Sequence, residues 1–221
     1  MKYDGYKVEW QFFRTGNLIR FIAALLSIVP MIADAAEIDC ETLKSTTQPF
    51  EISWTFGKYE SVLQIYREKS GDAVRWRQVT TPGFVNVSKI EFFDGVGSEF
   101  TRTYRGGQPL KGKSTFSGLP KGFNHRSDLT YAIDASNKFP DGQTVKSTTT
   151  VHFHFVSETR KAIGGCVFAI IKSEETLTVD GKANGPTTVY FLPDLQTPSL
   201  LADDDTEFHI STSFTPLRLL N

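Results

Sequence analysis

Alternation with a period of two runs through most of this chain. In residues 49–56, Phe50, Ile52, Trp54 and Phe56 fall on one side, with Glu51, Ser53 and Thr55 on the other. Successive side chains of a strand point to opposite faces, so this is the pattern of a strand with one buried face. Gly57-Lys58 separates it from a second run, 59–68, and a two-residue loop opened by glycine predicts a type II′ hairpin. Ser70-Gly71 marks the next turn. Beyond it Val74 and Trp76 share one side, read as the core side together with Trp54, while Arg75 and Arg77 share the other. The two arginines are therefore expected on an exposed sheet face, paired across strands.

Similar runs recur at 84–93, 98–105, 129–133, 148–156, 167–179, 187–192 and 207–214. Asp94-Gly95, Asp141-Gly142, Asp180-Gly181 and Asn184-Gly185 punctuate them, each able to supply the positive φ of a tight turn. Around Ser88-Lys89 the parity changes, since Val85 and Val87 are out of step with Ile90 and Phe92, which predicts a bulge there. Only 40–45 and 198–202 carry weak helical character. Strands joined by tight turns are antiparallel. The expected fold is all-β: an antiparallel sandwich, or a strongly curved sheet or half-barrel, of about ten strands.

The N-terminus follows a different pattern. Arg14 and Arg20 precede an apolar run at 21–32 (FIAALLSIVPMI), and Ala33-Asp34-Ala35 supplies the small-x-small site that signal peptidase accepts. Such a run spans about 18 Å as a helix, short of the roughly 30 Å hydrocarbon core. Residues 1–35 are therefore read as a cleaved signal peptide and 36–221 as a single antiparallel β domain, with no membrane span in the mature chain. The expected location is the periplasm or the outside of the cell. In that oxidising setting the two cysteines, Cys40 and Cys166, are expected to form one disulfide, with two separately buried thiols as the competing reading.

Composition sharpens the β reading and narrows the partners. The 221 residues include 18 Phe and 7 Tyr, side chains that fit a pleated, half-buried surface. Net charge is −1 and the basic residues are scattered, so the footprint of a nucleic-acid binder is missing.

Few residues point to chemistry. The irregular stretch 106–126 holds Lys111, Lys113, Lys121, His125 and Arg126. These are candidate contacts for an anionic ligand, although a solvated crossover between two halves of the sheet is the plainer reading. Within it, residues 107–114 satisfy the G-x-x-x-x-G-K-[ST] pattern. A phosphate loop needs a following helix, which Gly118, Pro120 and Gly122 forbid, so the match is read as coincidence. His152 and His154 share one face of a strand, the spacing of two zinc ligands, but a catalytic site needs a third. They are the long-shot metal pair, and the centre of an alternative reading as a metal-dependent hydrolase. Asp203, Asp204, Asp205 and Glu207 lack the order of a calcium loop and read as a solvated turn. Neither a G-x-S-x-G nucleophile motif nor a CxxC pair is present, and no cofactor is expected.

From Gly164 the chain reads Gly-Gly-Cys166-Val-Phe168, passes the Asp180-Gly181 turn and reaches Tyr190-Phe-Leu-Pro193-Asp194-Leu195. This segment resembles the C-terminal part of uncharacterised exported bacterial β-sheet proteins. The resemblance implies an envelope location and a curved antiparallel sheet, and brings no activity with it. The function expected is a non-enzymatic binding or scaffolding role, for an apolar ligand such as a lipid or for a component of the cell envelope.

Overall fold

In the computed structural model the described residues are 39–45, 47–69, 71–93, 97–104, 110–120 and 123–220. The signal-peptide reading of 1–35, the Asp94-Gly95 turn and Lys121 lie outside them. A short helix, α1 (Cys40–Ser45), opens the description. The Asp39 carboxylate caps it, accepting from the backbone N–H of Glu41 at 3.2 Å and of Thr42 at 3.3 Å. At its other end Arg67 donates to the Leu43 carbonyl at 2.6 Å, satisfying an acceptor that the helix leaves open.

Twelve strands follow among the described residues: β1 (Phe50–Phe56), β2 (Tyr59–Arg67), β3 (Ala73–Thr81), β4 (Phe84–Phe93), β5 (Gly97–Tyr104), β6 (Leu110–Ser117), β7 (Leu129–Lys138), β8 (Thr144–Ile163), β9 (Cys166–Val179), β10 (Lys182–Phe191), β11 (Leu200–Leu201) and β12 (Phe208–Ser211). They form one antiparallel sheet in which β1 to β10 lie in chain order, β11 flanks β10 and β12 flanks β1. The turns follow the local chemistry. Phe56 pairs with Tyr59 across Gly57-Lys58, with Gly57 at φ +54°. Val179 pairs with Lys182 across Asp180-Gly181, both at positive φ, as a type I′ turn requires.

The sheet is strongly curved. Its two edge strands are consecutive in sequence, separated only by residues 202–207. The Trp54 indole on β1 donates to the Leu201 carbonyl on β11 at 2.9 Å, so the edges meet side by side. No ladder joins β11 to β12, and the roll is not a closed barrel.

Where the ends meet lies the main core. Phe50, Ile52, Leu63 and Ile65 of β1 and β2 pack against Phe168 and Ile170 of β9, with residues of β10 to β12 and Leu43 of α1. The neighbouring residue of β9, Ile171, faces the other way, into a second cluster with Phe153, Val189 and Phe191. This part of β9 is therefore covered on both faces. The Cys40–Cys166 disulfide, with Cα atoms 5.5 Å apart, ties α1 to the start of β9 at the rim of the core. Gln64, fully buried on the opposite face of β2, pins the C-terminal tail: its amide donates to the Thr215 carbonyl at 2.8 Å and accepts from the Leu217 N–H at 2.8 Å.

Several local expectations change. Register between β3 and β4 runs unbroken from Ala73↔Phe92 to Thr81↔Phe84, so Ser88-Lys89 is not a bulge; Val87 is instead buried on one face and Ser88 on the other. The register shifts fall at Phe155/Ser157 in β8 and at Asn184/Thr187 in β10. Asn184-Gly185 thus bends a strand rather than ending one. A Cβ at Gly185 would come within 2.7 Å of the Glu175 carbonyl oxygen, which explains the glycine. The 198–202 stretch holds β11 rather than a helix.

Candidate functional site

Arg75 and Arg77 lie opposite Ile65 and Leu63 on β2, and opposite Ile90 and Ser88 on β4. Direct cross-strand partners share a face. The arginines therefore stand on the inner, core-bearing face of the roll, and the expectation of an exposed face is reversed. Trp76 occupies the outer face, with the Lys89 ammonium 5.9 Å from its ring. The alternation at 73–77 was real, but its polarity could only be read from the pairing with β2.

The same inner face continues across the middle of the sheet through Ile90, Phe92, Phe116, Tyr131 and Ile133, all of them only partly buried. The rings of Phe92 and Phe116 lie 6.5 Å apart. On β6 the alternation is complete: Leu110, Gly112, Ser114 and Phe116 are partly buried, while Lys111, Lys113, Thr115 and Ser117 are exposed.

Arg75 sits where this lining meets the packed end. Its guanidinium carbon is 4.1 Å from the centre of the Phe92 ring, and Nη2 donates to the Gln196 carbonyl at 3.1 Å. The Nε of Arg75 and that of Arg77 are shut off from solvent with no hydrogen-bond partner. Burial lowers Arg75 to about 10. Burial also lowers Arg77, helped by the like charge of Arg102, whose Nε donates to Ser88 at 3.2 Å. Among the described residues no carboxylate forms an ion pair with Arg75 or Arg77; Glu91, Glu99 and Glu158 are engaged by Lys89, Lys113 and Arg126. A guanidinium presents five donors and keeps its charge, so burial without an anion is costly.

The segment between β6 and β7 closes one side. His125, at φ +60°, stacks on Phe191 with ring centroids 3.6 Å apart, while Phe123 packs on it edgewise and Phe153 at a tilt. Its Nδ1 is buried without a partner. Burial, then the charge of Arg75, pushes the imidazole down to about 4, so it is neutral at ordinary pH. Glu175 is pushed up by burial despite a 2.6 Å bond from Ser199, and Tyr131 is pushed up by burial and then by Glu175.

The other candidates are dispersed. Residues 110–117, expected within an irregular stretch, are strand β6, where Lys113 pairs with Glu99 at 3.2 Å. The Gly112-Lys113-Ser114 part of the phosphate-loop match is thus extended backbone on the sheet. Lys111 is exposed on the outer face, and Arg126 holds Glu158 in a two-pronged bond of 2.8 and 2.9 Å. Lys113 and Arg126 are thus each held by a different carboxylate, and Lys121 lies outside the described residues.

His152 and His154 are exposed on β8, beside an open groove of about 480 Å³. His152 Nδ1 is 3.1 Å from the Thr130 hydroxyl, and His154 Nδ1 is 3.0 Å from the Asp128 carboxylate. Among the described residues no group of three or more His, Cys, Asp or Glu is placed to hold a metal ion. In the 202–207 turn Asp204 accepts from Lys172 at 2.6 Å and from the Tyr190 hydroxyl. Among the described residues no helix is long and apolar enough to cross a membrane.

Comparison of the chain with protein families, curated proteins and solved structures finds no match. The site has to be read from its own residues.

Proposed function

We propose that this is an exported binding protein that holds an apolar ligand along the inner face of its curved sheet and carries out no chemistry on it. The observation behind this reading is the middle of the sheet. There Ile90, Phe92, Phe116, Tyr131 and Ile133 form one continuous lining that stays only partly buried, while the ends of the same sheet are packed to completion. Large apolar side chains on a concave face, short of a covering layer, suit an apolar guest. The disulfide fits an oxidising compartment, in keeping with export after cleavage near Ala35.

Protein purified from its native source, extracted with organic solvent and examined by mass spectrometry, is expected to release a lipid-like molecule in near-stoichiometric amount and to begin near residue 36. An empty extract from freshly purified protein, together with no binding of added lipid, would overturn the reading.

A further inference from the structure

We infer that the ligand of this face is a lipid with a phosphate head group, held by Arg75 and Arg77 while its chain lies against Phe92 and Phe116. The inference rests on the binding role proposed above and adds the chemistry of the head group.

Three observations carry it. First, Arg75 and Arg77 bring two positive charges to the inner face, neither is ion-paired with a carboxylate among the described residues, and the Nε of each lacks a hydrogen-bond acceptor there. Residues two apart on a strand lie on one face about 6.6 Å apart, near enough for such long side chains to converge on one group. A phosphate monoester carries nearly two negative charges at neutral pH and takes the guanidinium fork in paired bonds. A carboxylate would leave one arginine uncompensated. Second, the cationic spot and the apolar lining are continuous, since the Phe92 ring lies 4.1 Å under the Arg75 guanidinium and 6.5 Å from Phe116. A free inorganic ion would have no use for that wall. Third, the group closing this side, His125, is a half-buried imidazole stacked on Phe191, which shapes the site without adding an anion.

The mature, disulfide-intact protein is titrated calorimetrically with three probes, the lipids below their micelle concentrations: 1-oleoyl lysophosphatidic acid, 1-oleoylglycerol, which has the same chain and no phosphate, and glycerol phosphate, which has the head alone. Lysophosphatidic acid is expected to bind at least tenfold more tightly than oleoylglycerol, and glycerol phosphate far more weakly than either. In an Arg75→Gln/Arg77→Gln variant, shown to be folded by its melting curve, the affinity for lysophosphatidic acid should fall at least tenfold. Equal affinity of the unaltered protein for the two lipids overturns the head-group assignment by itself and leaves the apolar-binding role standing. So does a tenfold preference that survives in the double variant. Glycerol phosphate binding as tightly as the lipid overturns the lipid assignment, and no binding of either lipid overturns both proposals.

Discussion

Phe50 and Phe116 stand on the same face of one continuous sheet, yet their surroundings differ. Phe50 is 0% exposed, locked among β1, β2 and β9, whereas Phe116 remains partly open on β6. The alternation that builds the two strands is equally regular. What separates them is a second layer: the curvature brings β9 to β12 over β1 and β2, and in the β8–β10 region Phe123 and His125 add to the cover. Over β4 to β6 no such layer forms a cluster of fully buried side chains among the described residues. One end of the sheet is therefore packed by a second layer, and the middle carries its apolar side chains only partly buried.

The strongest way to break this contrast is to cut the tie at the packed end. The Cys40–Cys166 bridge encloses a sequence separation of 126 residues. In the chain-entropy account such a cross-link contributes about 4–5 kcal/mol. Cys166→Ser should lower the melting temperature by about 10–15 °C for a domain of this size. A change of only a degree or two would show that the core there does not depend on the bridge.

A paired substitution sharpens the contrast directly. Phe168→Ala, at a site with 0% exposure, should cost about 3–5 kcal/mol in chemical denaturation. Phe116→Ala should cost about 1 kcal/mol, because much of its surface is already in water. Its main effect should be weaker binding of an apolar fluorescent probe. Equal costs at the two positions would erase the distinction between packed and open regions.

The smallest of the three effects is a pH dependence at the junction. His125 titrates near 4 in the folded protein and near 6.5 when unfolded, so between those values the unfolded chain takes up a proton that the folded one refuses. Its contribution is complete above about 6.5 and is lost as pH falls toward 4, at most about 3 kcal/mol. Glu175, raised by burial, acts with the opposite sign. The measurement is therefore the difference between protein and His125→Phe in denaturation midpoints at pH 7.5 and 4.5. Parallel midpoints in the two proteins would remove His125 from the account.

Most strand positions, the Gly57-Lys58 and Asp180-Gly181 turns and the all-β class were legible in the sequence because each depends on near neighbours: Phe50 to Phe56 alternate, and Gly57-Lys58 turns the chain. The disulfide was legible from a count of two cysteines. The face of Arg75 and Arg77 was not, because one strand alone cannot say which side is inner; only the pairing of Arg75 with Ile65 decides it. Lys111 and Lys113 failed as a loop site because glycines on both sides resembled irregular chain, while Gly112 is simply an inward-facing strand residue. His125 drew attention as a surface cation, and burial against Phe191 made it a neutral ring.

The placement of β12 beside β1 governs how the molecule assembles. Every pairing from β1 to β10 joins strands adjacent in sequence, so the meander can zip up locally, one hairpin after another. The seam where Trp54 meets Phe208 instead joins segments about 150 residues apart in sequence, and loop-closure entropy makes such a contact a late event. During synthesis β1 shows a bare, aromatic-rich edge until Phe208–Ser211 arrives. That interval, rather than any weakness of the finished fold, is when the chain is most open to pairing with a neighbour.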